Sequence, residues 1–179
     1  MTASTTTPKG KMVTGLFNDR ASAERAYESL HARGYGQQDI NLVMSDETRK
    51  AHFGSTAGAQ TELGTKAAEG AGVGGAIGGT VGAVLAAVAA VGTTIAIPGL
   101  GIVIAGPLAA AIAGAGAGGA AGGLVGALVG WNIPEERVKR YESGIREGGI
   151  LMGVRSRTDD DAAYFQDEWK KHRAADVYA

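Results

Sequence analysis

The chain has 179 residues and a mass of 18.0 kDa, is rich in Gly (30) and Ala (33), and carries a formal charge of −1 with no Cys. That balance offers no basic excess for nucleic acid and excludes a disulfide framework or a thiolate metal site. Its 17 basic and 18 acidic residues all lie outside one block, Gly70 to Pro134, which is 65 residues long and has no charge.

In chain order, residues 1–11 (MTASTTTPKGK) read as a disordered Thr-rich tail. They lack the basic-then-apolar order of a secretory signal, so the protein is expected to remain on the cytoplasmic side. Residues 12–45 form a first βαβ half. Met12–Phe17 has strand composition, and Asn18 or Asp19 can cap a helix with Ala23, Ala26, Tyr27 and Leu30 on one face. Gly34 closes that helix, and Ile40, Leu42 and Met44 alternate as a second strand. Residues 46–65 are polar and without periodicity, which predicts a linker.

Residues 66–131 are the Gly/Ala-rich block. Pro98 and Gly99 sit near its middle and demand a turn, so the block is predicted to be a helical hairpin with arms near 66–91 and 107–130. Gly70, Gly74, Gly78 and Gly82 recur every fourth residue in the first arm. Gly114, Gly118, Gly122 and Gly126 do so in the second. A four-residue step traces a ridge along which two helices without Cβ atoms approach closely, so these glycines are candidate oligomerisation residues. Within Ala113–Gly123 all eleven residues are Ala or Gly, six of them Gly. Those six cost an isolated helix roughly 6 kcal/mol relative to Ala, so the arm needs neighbours from other copies. Ile102, Val103 and Ile104 are expected to form the apolar tip, meeting lipid or another subunit, since irregular backbone cannot lie bare in hydrocarbon. Trp131 sits at the opposite end, as an interfacial anchor or a packing residue. Two G-x-G-x-x-G matches begin at Gly70 and Gly114, but neither follows a predicted strand, as a nucleotide loop requires.

Residues 132–179 form a helix and a second β–α half packing with residues 12–45. Pro134 suits the first turn of a helix and Glu135 and Glu136 its positive end, with Glu135–Lys139 and Glu136–Arg140 as pairs one turn apart, and Val138, Tyr141 and Ile145 give its apolar side. Gly148-Gly149 ends it, and Ile150–Val154 is apolar on both faces, as in a central strand. Thr158 with Asp159–Asp161 opens a last helix that buries Phe165 and Trp169, and Asp176–Tyr178 is a short closing strand. A short internal echo relates Gly15-Leu-Phe-Asn-Asp to Gly153-Val-Arg-Ser-Arg-Thr-Asp, and the fold class is α+β: ferredoxin-like βαβ halves with the apolar hairpin inserted between them.

No catalytic site emerges. His31, His52 and His172 lack metal-ligand spacing, and Asp159, Asp160 and Asp161 need no ion at a helix start. No cofactor is expected. The order of a βαβ opening, a hairpin around Ile97-Pro-Gly-Leu-Gly, then Ile133-Pro-Glu-Glu-Arg-Val-Lys-Arg-Tyr-Glu and Glu147-Gly-Gly-Ile-Leu-Met-Gly-Val resembles the bacterial general-stress proteins described as heat-induced or low-temperature-induced. The resemblance runs from about Lys11 to Val177, and it implies a non-enzymatic, often membrane-associated stress protein. Two readings follow, the membrane-associated one first and a soluble assembly as its alternative. One is a homo-oligomer whose glycine-zipper hairpins assemble in or on the cytoplasmic membrane, as transmembrane helices where they span it, with the α+β domain on the cytoplasmic side. The other is a particle or filament without lipid in which the hairpins form the protein core. An enzyme or small-ligand sensor is a third, weaker reading.

Overall fold

Apolar runs of period two and period 3.6 build the part of the protein that a computed structural model describes, residues 10–53, 94–97, 101–109, 128 and 133–179. Strand β1 (Met12–Phe17) leads into helix α1 (Arg20–Ala32), and a 3-10 turn at Gln37–Asp39 into β2 (Ile40–Ser45). Helix α2 (Asp46–Phe53) follows directly. The remaining elements are β3 (Thr94–Ile97), β4 (Ile102–Ala105), α3 (Glu135–Arg146), β5 (Ile150–Arg155), α4 (Asp159–Lys171) and β6 (Asp176–Tyr178). Two helix starts use the same device. Asp19 accepts the Ser22 N–H at 2.8 Å and Thr158 accepts the Asp161 N–H at 3.0 Å, each satisfying an orphan donor of the first turn.

The protein is α+β. Its six described strands form one antiparallel sheet in the order β3-β4-β2-β5-β1-β6. β5 lies at the centre, with Phe17↔Ile150 to Met12↔Arg155 on one side and Met44↔Ile150 to Ile40↔Val154 on the other. Strands from the two ends of the sequence therefore interleave. β6 closes the outer edge of β1 through Leu16↔Asp176 and Thr14↔Tyr178.

Helices α1 and α4 cover one face of the sheet. Val13, Phe17, Tyr27, Leu30, Met152, Phe165 and Trp169 form that core. Trp169 meets Phe17 edge-on at 5.7 Å, and its indole N–H donates to the Ala26 carbonyl at 3.3 Å. Each such side chain contributes about 1.5–3 kcal/mol by leaving water. On the opposite face α3 lays Val138, Tyr141 and Ile145 against Leu16, Val43 and Leu151. Gly144 permits that approach, because a Cβ there would come within 2.2 Å of a Leu16 methyl.

Four expectations need correction. Residues 46–53, assigned to a linker, are helix α2. Ser45 Oγ accepts the Thr48 N–H at 3.0 Å, and Asp46 pairs with Arg49 and Lys50 one turn on. β2 does not alternate between core and solvent, since Asn41 and Val43 are buried along with Ile40, Leu42 and Met44. Pro134 occupies the capping position of α3 and not its first turn. Most consequentially, Ile102, Val103 and Ile104 are not the apolar tip of a helical hairpin: they are strand residues of β4, buried in the sheet and paired with β2 through Val43↔Ile104 and Met44↔Val103. β-branched side chains at 94–97 and 102–104, on either side of the Pro98-Gly99 turn signal, favour a pleated strand pair over irregular backbone. The middle of the charge-free block thus belongs to the same sheet as its flanks. The arms proposed near 66–91 and 107–130 fall outside the described residues, except at 107–109 and 128.

Candidate functional site

Where the charge-free block meets the sheet is the place at which the chain departs most from an ordinary domain. On the α3 face, Ile102 and Ile104 of β4 join Leu108, Ala109, Leu128 and Ile133 in one cluster with Leu16, Val43 and Leu151. Ala109 and Leu128 are nineteen positions apart, yet both are fully buried in that cluster. Gly106 has a φ of 101°, a left-handed conformation that favours glycine, and its backbone lies against Ile40 and Asn41 of β2. Pro107–Ala109 then begin a helical turn, with the Leu108 N–H donating to Asn41 Oδ1 at 2.7 Å.

A polar seam runs under the same face near the β1–β6 edge. Thr14, fully buried on β1, exchanges a hydrogen bond with the Tyr141 hydroxyl at 2.9 Å. Burial pushes the Tyr141 phenol above its ordinary value of 10.0, so it stays protonated. Arg137 of α3 pairs with Asp176 of β6 and stacks its guanidinium over the Tyr178 ring at 4.7 Å, while Arg140 lies 3.9 Å from the other Asp176 oxygen. The expected Glu135–Lys139 pair is present at 3.6 Å, and Arg140 turns toward Asp176.

These groups fix the geometry of the α3 face. Among the described residues no cluster of His, Asp or Glu is arranged to hold a metal ion. His31 and His52 are exposed on α1 and α2, and His172 faces Glu168 at 3.6 Å. Asp159 pairs with Lys11 and Asp161 with Arg33, while Asp160 lies exposed on the first turn of α4. Among the described residues, open depressions of about 310 Å³ beside Ser45, Thr48, His52 and Arg146 and of about 320 Å³ beside Asn41, Leu108 and Arg155 indent the surface.

Of the residues singled out for assembly, Ile102, Val103 and Ile104 come together in β4. Gly70, Gly74, Gly78, Gly82, Gly114, Gly118, Gly122 and Gly126, together with Pro98, Gly99 and Trp131, lie outside the described residues, as do both G-x-G-x-x-G matches. The sequence reading passed over Asn41. The signal was there to be read: one amide side chain inside the apolar run Ile40–Met44. Among the described residues no helix is long and apolar enough to cross a membrane. Comparison with protein-family models, with curated proteins and with solved structures finds no match to the chain.

Proposed function

We propose that the chain is a non-enzymatic stress-response protein of the bacterial general-stress type, whose α+β domain presents glycine-rich segments for assembly with further copies of itself. The observation that carries this reading is the pairing of β4 with β2. It returns the centre of the charge-free block to the sheet, so the block is divided into two glycine-rich stretches, 70–93 and 110–127, the first joined to α2 by the polar residues 54–69. Support comes from the sequence: a four-residue glycine step in a helix traces a ridge for close contact, and an isolated helix of Ala and Gly such as 113–123 is unfavourable without packing partners. The finer fold reading is ferredoxin-like. Its support is the order β2-β5-β1-β6 with α1 and α4 on one face, extended at the β2 edge by β4 and β3.

Assembly through protein contacts is preferred over a membrane-spanning hairpin on grounds of length. A stretch that starts and ends on one side of a bilayer must cross an even number of times. Two helical crossings need about 40 apolar residues, at about 20 each. The first stretch has only 24 uncharged residues, 70–93, and the second has 18 residues in all. The test is the mass of the full chain by light scattering in detergent-free buffer, together with flotation on phosphatidylglycerol/phosphatidylethanolamine vesicles. A multi-copy particle is expected, shifting to smaller species in Gly118→Leu and Gly122→Leu while the far-ultraviolet dichroism is retained. A monomer, or protein recovered only with vesicles, would overturn the reading.

A further inference from the structure

A buried amide in the middle of an apolar strand needs a reason, and the reason for Asn41 lies outside its own strand. Asn41 is 5% exposed. Its Nδ2 donates to the Gly153 carbonyl of β5 at 3.4 Å, and its Oδ1 accepts the Leu108 N–H at 2.7 Å. That N–H belongs to the second residue of the turn opening at Pro107, one of the donors that a capping side chain ordinarily satisfies. The residue in the capping position is Gly106, which has no side chain to offer. Asn41, sixty-seven residues before Leu108, supplies the missing oxygen from the neighbouring strand.

Gly106 makes that substitution possible. A Cβ at its position would lie 2.3 Å from the Ile40 carbonyl oxygen and 3.1 Å from the Asn41 Cα, and its φ of 101° is one that other residues rarely adopt. Its backbone therefore lies directly on β2, and Pro107 fixes the next φ. We infer that Asn41 and Gly106 form a joint that sets the direction in which the second glycine-rich stretch leaves the sheet, and through it the geometry in which copies associate. Asn41 is a positioning residue, acting through Leu108. The inference rests on the assembly reading above.

The test compares the full-length wild type with Asn41→Ala and Gly106→Ala, which break the joint from its two sides. Three quantities are read: hydrogen exchange at the Leu108 amide, thermal unfolding of the domain, and particle mass by light scattering. Both variants are expected to exchange Leu108 at least about tenfold faster, to keep a single cooperative unfolding transition, and to lose the wild-type mass distribution. A purely structural Asn41 would lower the transition and leave the mass unchanged. Wild-type mass in both variants, unaltered Leu108 exchange, or loss of the fold in both would each overturn the inference. A monomeric wild type would overturn the assembly reading itself, and this inference with it. An assembling wild type with variants of unchanged mass would overturn this inference alone.

Discussion

The Tyr35 hydroxyl sits where the loop after α1, the end of β5 and the start of α4 meet. It donates to Asp161 Oδ2 at 2.8 Å and accepts the Arg157 N–H at 2.6 Å. The Arg157 guanidinium lies 4.2 Å above the same ring and reaches the Gly34 carbonyl and Asp39. Tyr35→Phe would leave the Arg157 N–H without its acceptor and remove one donor from Asp161. A loss of about 1–3 kcal/mol is expected in urea unfolding near neutral pH. The loss should depend on pH. Burial alone would raise the Asp161 carboxyl, but hydrogen bonds from Tyr35, Thr158 and Arg33 outweigh it and hold the group below its ordinary 3.8. A carboxyl depressed in the folded state adds stability above the unfolded value, and that stability is lost as pH falls through the folded one. The gap between wild type and Tyr35→Phe should therefore narrow in unfolding curves taken below pH 3.8; a gap that stayed constant would mean Asp161 is not the group responsible. At this scale the sequence was only partly legible. Thr158 with its three aspartates announced a helix start, but no local pattern announces a tyrosine that bonds across 126 positions.

Among the elements, those with strong local signals were readable. β1 and β5 were legible as apolar runs, α1 and α4 from their caps and their spacing of Ala26, Tyr27, Phe165 and Trp169. Helix α2 was not, because its eight residues carry little apolar face and its start depends on a side-chain pair. Ser45 Oγ accepts the Thr48 N–H, the Ser45 and Thr48 hydroxyls lie 2.8 Å apart, and Thr48 donates onward to the Gly148 carbonyl at 3.3 Å. Ser45→Ala should cost about 1 kcal/mol. Faster hydrogen exchange should be confined to residues 46–53, and a change spread over the sheet would show that Ser45 does more than cap α2. β3 and β4 were missed for another reason. Their residues read equally well as a membrane tip, and only the free edge of β2, a partner distant in sequence, decides for a strand. The same placement changes what a charge at Val103 would report. Val103 is 4% exposed between β3 and β2, so Val103→Lys should lower the unfolding temperature of the domain whether or not lipid is present. A variant as stable as wild type would place this strand elsewhere.

For the molecule as a whole, neither half of the sheet exists without the other, because β1 and β2 do not pair and β5 stands between them. Fragments 1–60 and 61–179, expressed together, should therefore purify as a one-to-one complex, and the shorter one alone should show no cooperative unfolding. The interleaved halves were legible as a weak echo between Gly15-Leu-Phe-Asn-Asp and Gly153-Val-Arg-Ser-Arg-Thr-Asp. Within the candidate site, the contact of Asn41 with Leu108 was not legible, because it joins two segments that no periodicity connects. The central position of β5 also sets a timetable. During synthesis β1, α1 and β2 emerge first, and the strand that must lie between them is complete only 110 residues after Ser45, at Arg155. At 5–20 residues per second that is a wait of roughly 5–20 s. Throughout it the apolar edges of β1 and β2 face an emerging chain of 65 uncharged residues that has no finished sheet to return to. Until residue 155 has been made, neither β1 nor β2 has the strand that joins it to the other, so the sheet closes only as synthesis nears its end.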